Sequence, residues 1–171
     1  MRQMASNPQV ILKDRYQVVP RSIIFLIQKG KVLLQKGRAD KKIYPGFLNG
    51  IGGHIERGED ILSGARRELT EESGLSCPDL RLAGTVAIDV KENEGILLFV
   101  FTGSHISGEL RDSSEGSLEW IDVSDLDKLL VVEDVPELVA NSLASLKGSR
   151  LFFGKYEYND MGQRITTWQW G

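Results

Sequence analysis

Two apolar, β-branched runs, Ser22 to Gln28 (SIIFLIQ) and Lys31 to Gln35 (KVLLQ), are separated by the dipeptide Lys29-Gly30. This pattern predicts a pair of antiparallel strands joined by a tight turn. From Gly37 to Gly53 the chain is rich in Gly and Lys and contains Pro45, which predicts a loop with a short strand near Leu48 to Ile51. Over Asp60 to Ser73 the period changes. Ile61, Leu62, Ala65 and Leu69 form an apolar stripe at helical spacing, and Gly74 is placed to end the helix in a left-handed conformation.

The second half repeats these signals. Leu80 to Val90 and Ile96 to Thr102 read as strands around a polar turn at Lys91 to Gly95, and Leu118 to Val123 reads as a short strand. Ser124 is placed to cap a short helix to Leu130. Pro136 lies in the first turn of a second helix, Asp134 to Lys147, closed by Gly148. Leu151 to Tyr158 and Ile165 to Trp170 finish the chain as extended segments around a turn at Asn159 to Gly162. Strands, one helix, more strands, helices and a terminal hairpin predict an α/β fold in which helices cover a mixed sheet.

The 171 residues correspond to about one domain. We read residues 1–20 as an irregular N-terminal extension and 21–171 as a single domain, without repeats or linkers. Hydrophobic residues at 41% and charged residues at 26% exclude a disordered tail or a coiled-coil rod. No apolar run is long enough to span a bilayer, no secretory signal is visible, and Cys77 is the only cysteine, an inert one on its local sequence. The expectation is a soluble, cytoplasmic protein, a monomer or homodimer, with no membrane or nucleic-acid polymer as partner.

The net charge of -3 is uneven in its distribution. Residues 56–72 hold Glu56, Glu59, Asp60, Glu68, Glu71 and Glu72 against Arg57, Arg66 and Arg67, so this segment carries the whole negative excess. Glu68, Glu71 and Glu72 fall at i, i+3 and i+4, on one face of the helix. They repel one another at the end of the helix that disfavours anions. Such a face is either a solvated acidic surface or, because oxygen ligands suit a hard dication, a place for Mg²⁺ or Mn²⁺.

Gly53, Glu59, Arg67-Glu68-Leu69, Glu71-Glu72 and Gly74-Leu75 match every defined position of the Nudix box. The chain therefore resembles the Nudix hydrolases, with the resemblance of the box covering residues 53–75. It implies a Nudix-type α/β/α sandwich with a mixed β-sheet. It also implies divalent metal held by Glu68, Glu71, Glu72 and the Gly53 carbonyl, and a bracing ion pair between Glu59 and Arg67. Glu115, five residues ahead of Trp120, resembles a further carboxylate of the family and is a candidate metal ligand or base. Glu71 and Glu115 both stand as candidate general bases. Lys36, Arg38, Lys41 and Lys42 form a basic loop, with Arg38 a candidate phosphate contact or simply a solvated charge.

Outside the box, Leu48-Asn49-Gly50-Ile51-Gly52-Gly53 resembles the strand entering the box in MutT-like, mammalian-type oxidised purine nucleoside triphosphatases. Val132-Glu133-Asp134 falls where those enzymes carry a pair of Asp residues that reads the purine edge, with Glu replacing one Asp and an aliphatic residue replacing the aromatic before it. Phe152-Phe153-Gly154-Lys155-Tyr156 is similar to their closing strand. On physical grounds Asn49 is either a base contact or a turn residue. Glu133-Asp134 is either a donor and acceptor pair for a base or a helix cap. His54 and His105 lack metal-ligand spacing; His54 is at most a loop residue near phosphate.

The resemblance implies metal-dependent hydrolysis of a nucleoside triphosphate, a purine one including oxidised forms such as 8-oxo-dGTP, to the monophosphate and pyrophosphate. Nucleotide sugars, ADP-ribose and dinucleoside polyphosphates remain as alternative substrates. Val90 and Lys91 stand near where ADP-ribose members often carry a proline. An alternative of another class is a catalytically silent nucleotide-binding module.

Overall fold

A computed structural model describes residues 9–40 and 42–171. Its organisation follows from one strand, β1 (Gln17–Gln28), whose alternate side chains point to opposite faces of the sheet. Ile24 and Leu26 enter one buried cluster with Ala65 and Leu69 of helix α1 (Ile61–Ser73). Ile23, Phe25 and Ile27 enter the other with Val135, Leu138 and Val139 of helix α2 (Val135–Gly148). Helices thus cover both faces, giving the expected α/β/α sandwich.

The remaining strands are β2 (Lys31–Gly37), β3 (Leu48–Asn49), β4 (Leu75–Ser76), β5 (Arg81–Lys91), β6 (Glu94–Gly103), β7 (Ser107–Gly108), β8 (Gly116–Asp122), β9 (Phe152–Tyr158) and β10 (Arg164–Trp170). The main sheet runs β10-β9-β5-β6-β1-β2-β3, with β8 also paired to β2. It is mixed, because β1 lies parallel to β6 and β5 parallel to β9 while the other pairings are antiparallel. Among the described residues no helix is long and apolar enough to cross a membrane.

Local signals placed α1 well. Asp60 Oδ1 accepts from the amides of Leu62 and Ser63 at 2.9 and 3.0 Å, a side-chain cap for two otherwise orphan donors. Gly74 ends the helix at φ 72°, and its amide donates to the Thr70 carbonyl at 2.9 Å.

Four expectations are corrected. β1 begins at Gln17, inside the segment read as irregular up to Pro20, because pairing with distant β6 starts at Gln17 opposite Glu94. The first two strands share only the pairs Ile27–Val32 and Gln28–Lys31, because the same edge of β1 is taken further back, at Arg21 and Ile24, by the chain at His54 and Ile51. The short helix expected from Ser124 to Leu130 is a 3₁₀ segment, Val123–Lys128, with Ser124 inside it. α2 ends with Gly148 still helical, and the residue that turns left-handed is Ser149, at φ 53°. The small β4–β7 ladder had no counterpart in the sequence reading.

Candidate functional site

After β3 the chain runs alongside β1 on the edge that β6 leaves open. Ile24 N donates to Ile51 O at 2.7 Å, Ser22 N to Gly53 O at 2.8 Å, and Ile55 N to Pro20 O at 3.1 Å. The approach is close enough that a Cβ on Gly52 would strike the Ser22 carbonyl. On Gly53 a Cβ would lie 2.5 Å from Glu68 Oε1, so backbone and carboxylate are pressed together. Gly52 N also donates to Glu72 Oε2 at 3.2 Å. The glycine pair therefore seats directly on the acidic face of α1.

Arg67 organises that face from the side. Its guanidinium donates to both oxygens of Glu59, at 2.7 and 3.1 Å, and to the His54 carbonyl at 3.1 Å. It also donates to Glu68 Oε1 at 2.8 Å and Glu71 Oε2 at 3.2 Å. These hydrogen bonds, Glu59 first, raise the Arg67 pKa above its ordinary value, and Arg67 in turn holds the Glu59 carboxyl low. Glu68 is 14% exposed, whereas Glu71 is 61% exposed.

A cleft of about 610 Å³ opens over this face. Gly53, Glu68 and Glu72 line its carboxylate end, Asn49, Glu133 and Asp134 line it beside the Leu48–Val131 bridge at the other, and Glu115 lines the cleft as well. A backbone bridge explains why Asn49 meets the second acidic pair. Leu48 N donates to Leu130 O and Val132 N donates to Leu48 O, each at 2.9 Å, which ties β3 to the chain entering α2.

Asp134 occupies the N-cap position of α2 but makes no capping hydrogen bond with its side chain, so capping does not account for it. Burial pushes its carboxyl up, partly opposed by nearby Arg164. Asn49 does act locally, since its Oδ1 accepts from Gly50 N at 2.8 Å.

Four expected residues lie elsewhere. Glu71 does not line the cleft and is held by Arg67. Arg38 is also outside it, paired with both oxygens of its neighbour Asp40 at 2.9 and 3.0 Å. Lys36 and Lys42 do not line the cleft either, and Lys41 falls outside the described residues. His54 does line it, with its Nε2 accepting from Arg21 Nε at 3.2 Å.

Arg21, Tyr44, Tyr156, Tyr158 and Arg164 also line the cleft and were missed. For Arg164 a signal existed, because alternation along β10 puts it on one face with Thr166 and Trp168. Tyr156 is 2% exposed, with its hydroxyl close enough to Asp134 to feel that charge but without a hydrogen-bond partner at ordinary distance. Away from the cleft, burial pushes the Cys77 thiol up to about 12, which keeps it an unreactive core group.

The donor set at the carboxylate end is all oxygen, as a hard dication requires, and Gly53 leaves its backbone against Glu68 with no side chain between. Among the described residues no three His, Cys, Asp or Glu side chains close into a ready-made cage. Arg67 engages Glu68 and Glu71 instead. These residues fit a Mg²⁺-type ion that keeps much of its water and takes phosphate oxygens, a binding mode that needs only one or two protein carboxylates.

The family model for the NUDIX domain matches residues 18–141. The oxidized purine nucleoside triphosphate hydrolase of Danio rerio is 34% identical over 103 residues, 60% of this chain and 65% of the relative. The protein of the same description from Mus musculus is 32% identical over 106 residues, 61% of this chain and 67% of the relative. The chain thus aligns with about two thirds of the length of these curated relatives. Among solved structures, a mutator MutT protein from Bacillus halodurans superposes with a TM-score of 0.71 at 23% identity, covering 90% of this chain and 97% of that one, a likeness of fold.

Proposed function

Because the chain belongs to the Nudix family, we propose that it is a metal-dependent pyrophosphohydrolase that cuts purine nucleoside triphosphates, oxidised ones such as 8-oxo-dGTP included, to the monophosphate and pyrophosphate. The observation that carries this reading is the single cleft with two chemically distinct ends, carboxylates at one and Asn49 with Glu133 and Asp134 at the other. The names of the Danio rerio and Mus musculus relatives support the purine assignment.

Glu68, Glu72 and the Gly53 carbonyl would hold Mg²⁺ or Mn²⁺, with Glu115 as a further ligand or as the base. When bound, the ion neutralises phosphate charge and lowers the pKa of a bound water. Between the two candidate bases we favour Glu115, because it lines the cleft and Glu71 does not. Glu115 would then orient the attacking water or accept its proton. Arg21 lines the same cleft and offers a cationic contact for a phosphate oxygen. Asn49 presents a donor and an acceptor, and Asp134, its carboxyl raised by burial, can donate while protonated and accept when ionised. We place the reaction in the cytoplasm.

The test is a panel of nucleoside triphosphates, nucleotide sugars, ADP-ribose and dinucleoside polyphosphates, with and without Mg²⁺, with both products identified. The expected products are a purine nucleoside monophosphate and pyrophosphate, formed only with metal. Release of orthophosphate from dGTP analogues overturns the reading. Absence of turnover on every diphosphate, with Glu72→Gln leaving ligand affinity unchanged, would instead identify a silent binding module.

A further inference from the structure

We infer that Arg164, with the Tyr156 hydroxyl beside it, is a specificity-determining donor pair that reads a ring carbonyl on the substrate's base. This rests on the reading above, in which the base occupies the end of the cleft away from Glu68 and Glu72.

Arg164 opens β10, opposite Tyr158 on β9. Its side chain is 11% exposed, and its guanidinium carbon stands 4.7 Å above the ring centroid of Tyr156, a stacked cation on an aromatic face. Its two carboxylate neighbours are far for hydrogen bonds, Glu137 at 3.5 Å and Glu133 at 3.8 Å. Among the described residues no protein acceptor takes a hydrogen bond from it. A guanidinium has five N–H donors in a fixed fork, so a nearly buried one whose carboxylate neighbours stand this far off keeps donors for a ligand.

The second observation is independent. Tyr156 Oη is buried in the same cleft with Asp134 near it but no hydrogen bond at ordinary distance, and Ser22 Oγ, on β1 of the same sheet, is buried without a partner. Buried polar groups are normally satisfied, so orphan hydroxyls that line a cleft point to an occupant with polar atoms.

Charge selects the kind of acceptor. Glu133 and Glu137 set two carboxylates beside the single cation of Arg164, so a phosphate there would meet repulsion. A neutral carbonyl oxygen meets none. Ile23, Ile88 and Leu98 line the cleft and supply apolar contact for the faces of a flat ring. Glu137 fixes the fork in place, because its Oε1 accepts from Trp168 Nε1 at 2.9 Å while its Oε2 faces Arg164. The ligand class is therefore an oxopurine, such as guanine or hypoxanthine, in preference to adenine, whose corresponding group is an amine.

The experiment compares dGTP with dATP in hydrolysis, and dGMP with dAMP in metal-free equilibrium binding, for the wild-type protein and for Arg164→Met, Arg164→Lys and Tyr156→Phe. The wild type should favour the guanine ligand at least about fivefold in both assays. Arg164→Met should raise KM for dGTP about tenfold with kcat nearly unchanged, leave dATP nearly unaffected, and abolish the binding preference. Arg164→Lys keeps the charge but loses the fork, and should lose the preference as well. Tyr156→Phe removes only a hydroxyl that makes no hydrogen bond at ordinary distance, so it should stay folded and lose part of the preference, which keeps the inference testable if the arginine variants fail to fold. Equal losses for guanine and adenine ligands, or no change in any variant, overturn the inference alone. A wild type that neither hydrolyses nor binds any of these nucleotides overturns both it and the function proposed above.

Discussion

Arg67 grips Glu59 with two hydrogen bonds, at 2.7 and 3.1 Å, and with the same guanidinium reaches the His54 carbonyl on the loop and Glu68 on the helix. One planar cation thus fixes the distance between the glycine loop and the acidic face. Lysine cannot reproduce a fork of this kind. Replacing Arg67 by Lys should raise the half-saturating Mg²⁺ concentration by about 10–100-fold, the usual cost of losing a group that orients metal ligands. A titration of turnover with Mg²⁺ gives the answer, and an unchanged midpoint would show that the carboxylates hold their geometry without Arg67.

Glu72 sits where the helix face is most crowded with like charge and touches Gly52 N through its carboxylate. Glu72→Gln should lower kcat by roughly 10²–10³-fold, the effect of losing several kcal/mol of charge stabilisation in transfer. Its thermal midpoint should stay level or rise, because a repulsive i, i+4 pair with Glu68 is relieved. Turnover and thermal unfolding are read on one preparation. A stability loss that matches the activity loss would argue for a scaffolding role.

Gly53→Ala is a steric test of the same spot. The new methyl would lie 2.5 Å from Glu68 Oε1 and must displace that carboxylate, while the Ser22–Gly53 backbone bond at 2.8 Å can persist. Activity should fall at least about tenfold, with most of the loss in metal affinity. Wild-type Mg²⁺ dependence in this variant would mean that Glu68 moves without consequence.

Asp134 gives a pH prediction. Burial holds its carboxyl above the ordinary carboxyl range in the folded protein, so the folded state binds the proton more tightly than the unfolded one. Its contribution to stability is full below about pH 4 and is lost as pH rises through the raised folded value. In Asp134→Asn that slope disappears. The stability of the wild type relative to the variant should therefore fall as pH rises from about 4 toward neutrality, as followed by thermal or urea unfolding. A difference that stays flat over this range would show that Asp134 ionises as an exposed carboxyl does.

What could be read from the sequence was what neighbouring residues decide among themselves. Gly74 turning left-handed is a local event, and so is the ladder of carboxylates on α1. Asn49 and Asp134 were legible only because they matched a known pattern; their meeting depends on the Leu48–Val131 bridge, which no local signal announces. β1 was cut short at its start because Gln17 to Pro20 owe their extended form to β6, more than seventy residues away. Arg164 escaped for the same reason, since its surroundings arise where the last hairpin folds against the first turn of α2. Arg38 shows the converse limit: a basic loop signals either a phosphate contact or a solvated charge, and the fold pairs its guanidinium with Asp40, two residues on.

The segment from Asn49 to Gly53 is bonded to β1 at Ile51 and Gly53 and anchored to the α2 approach through Leu48. Four residues of extended chain span at most roughly 13 Å, so the two ends of the cleft stand at a separation that rigid backbone sets. The protein thereby measures its ligand. On the function proposed above, a substrate must be long enough to place a ring at one end and a phosphate chain at the other. A free base or a bare pyrophosphate could satisfy only half of this gauge.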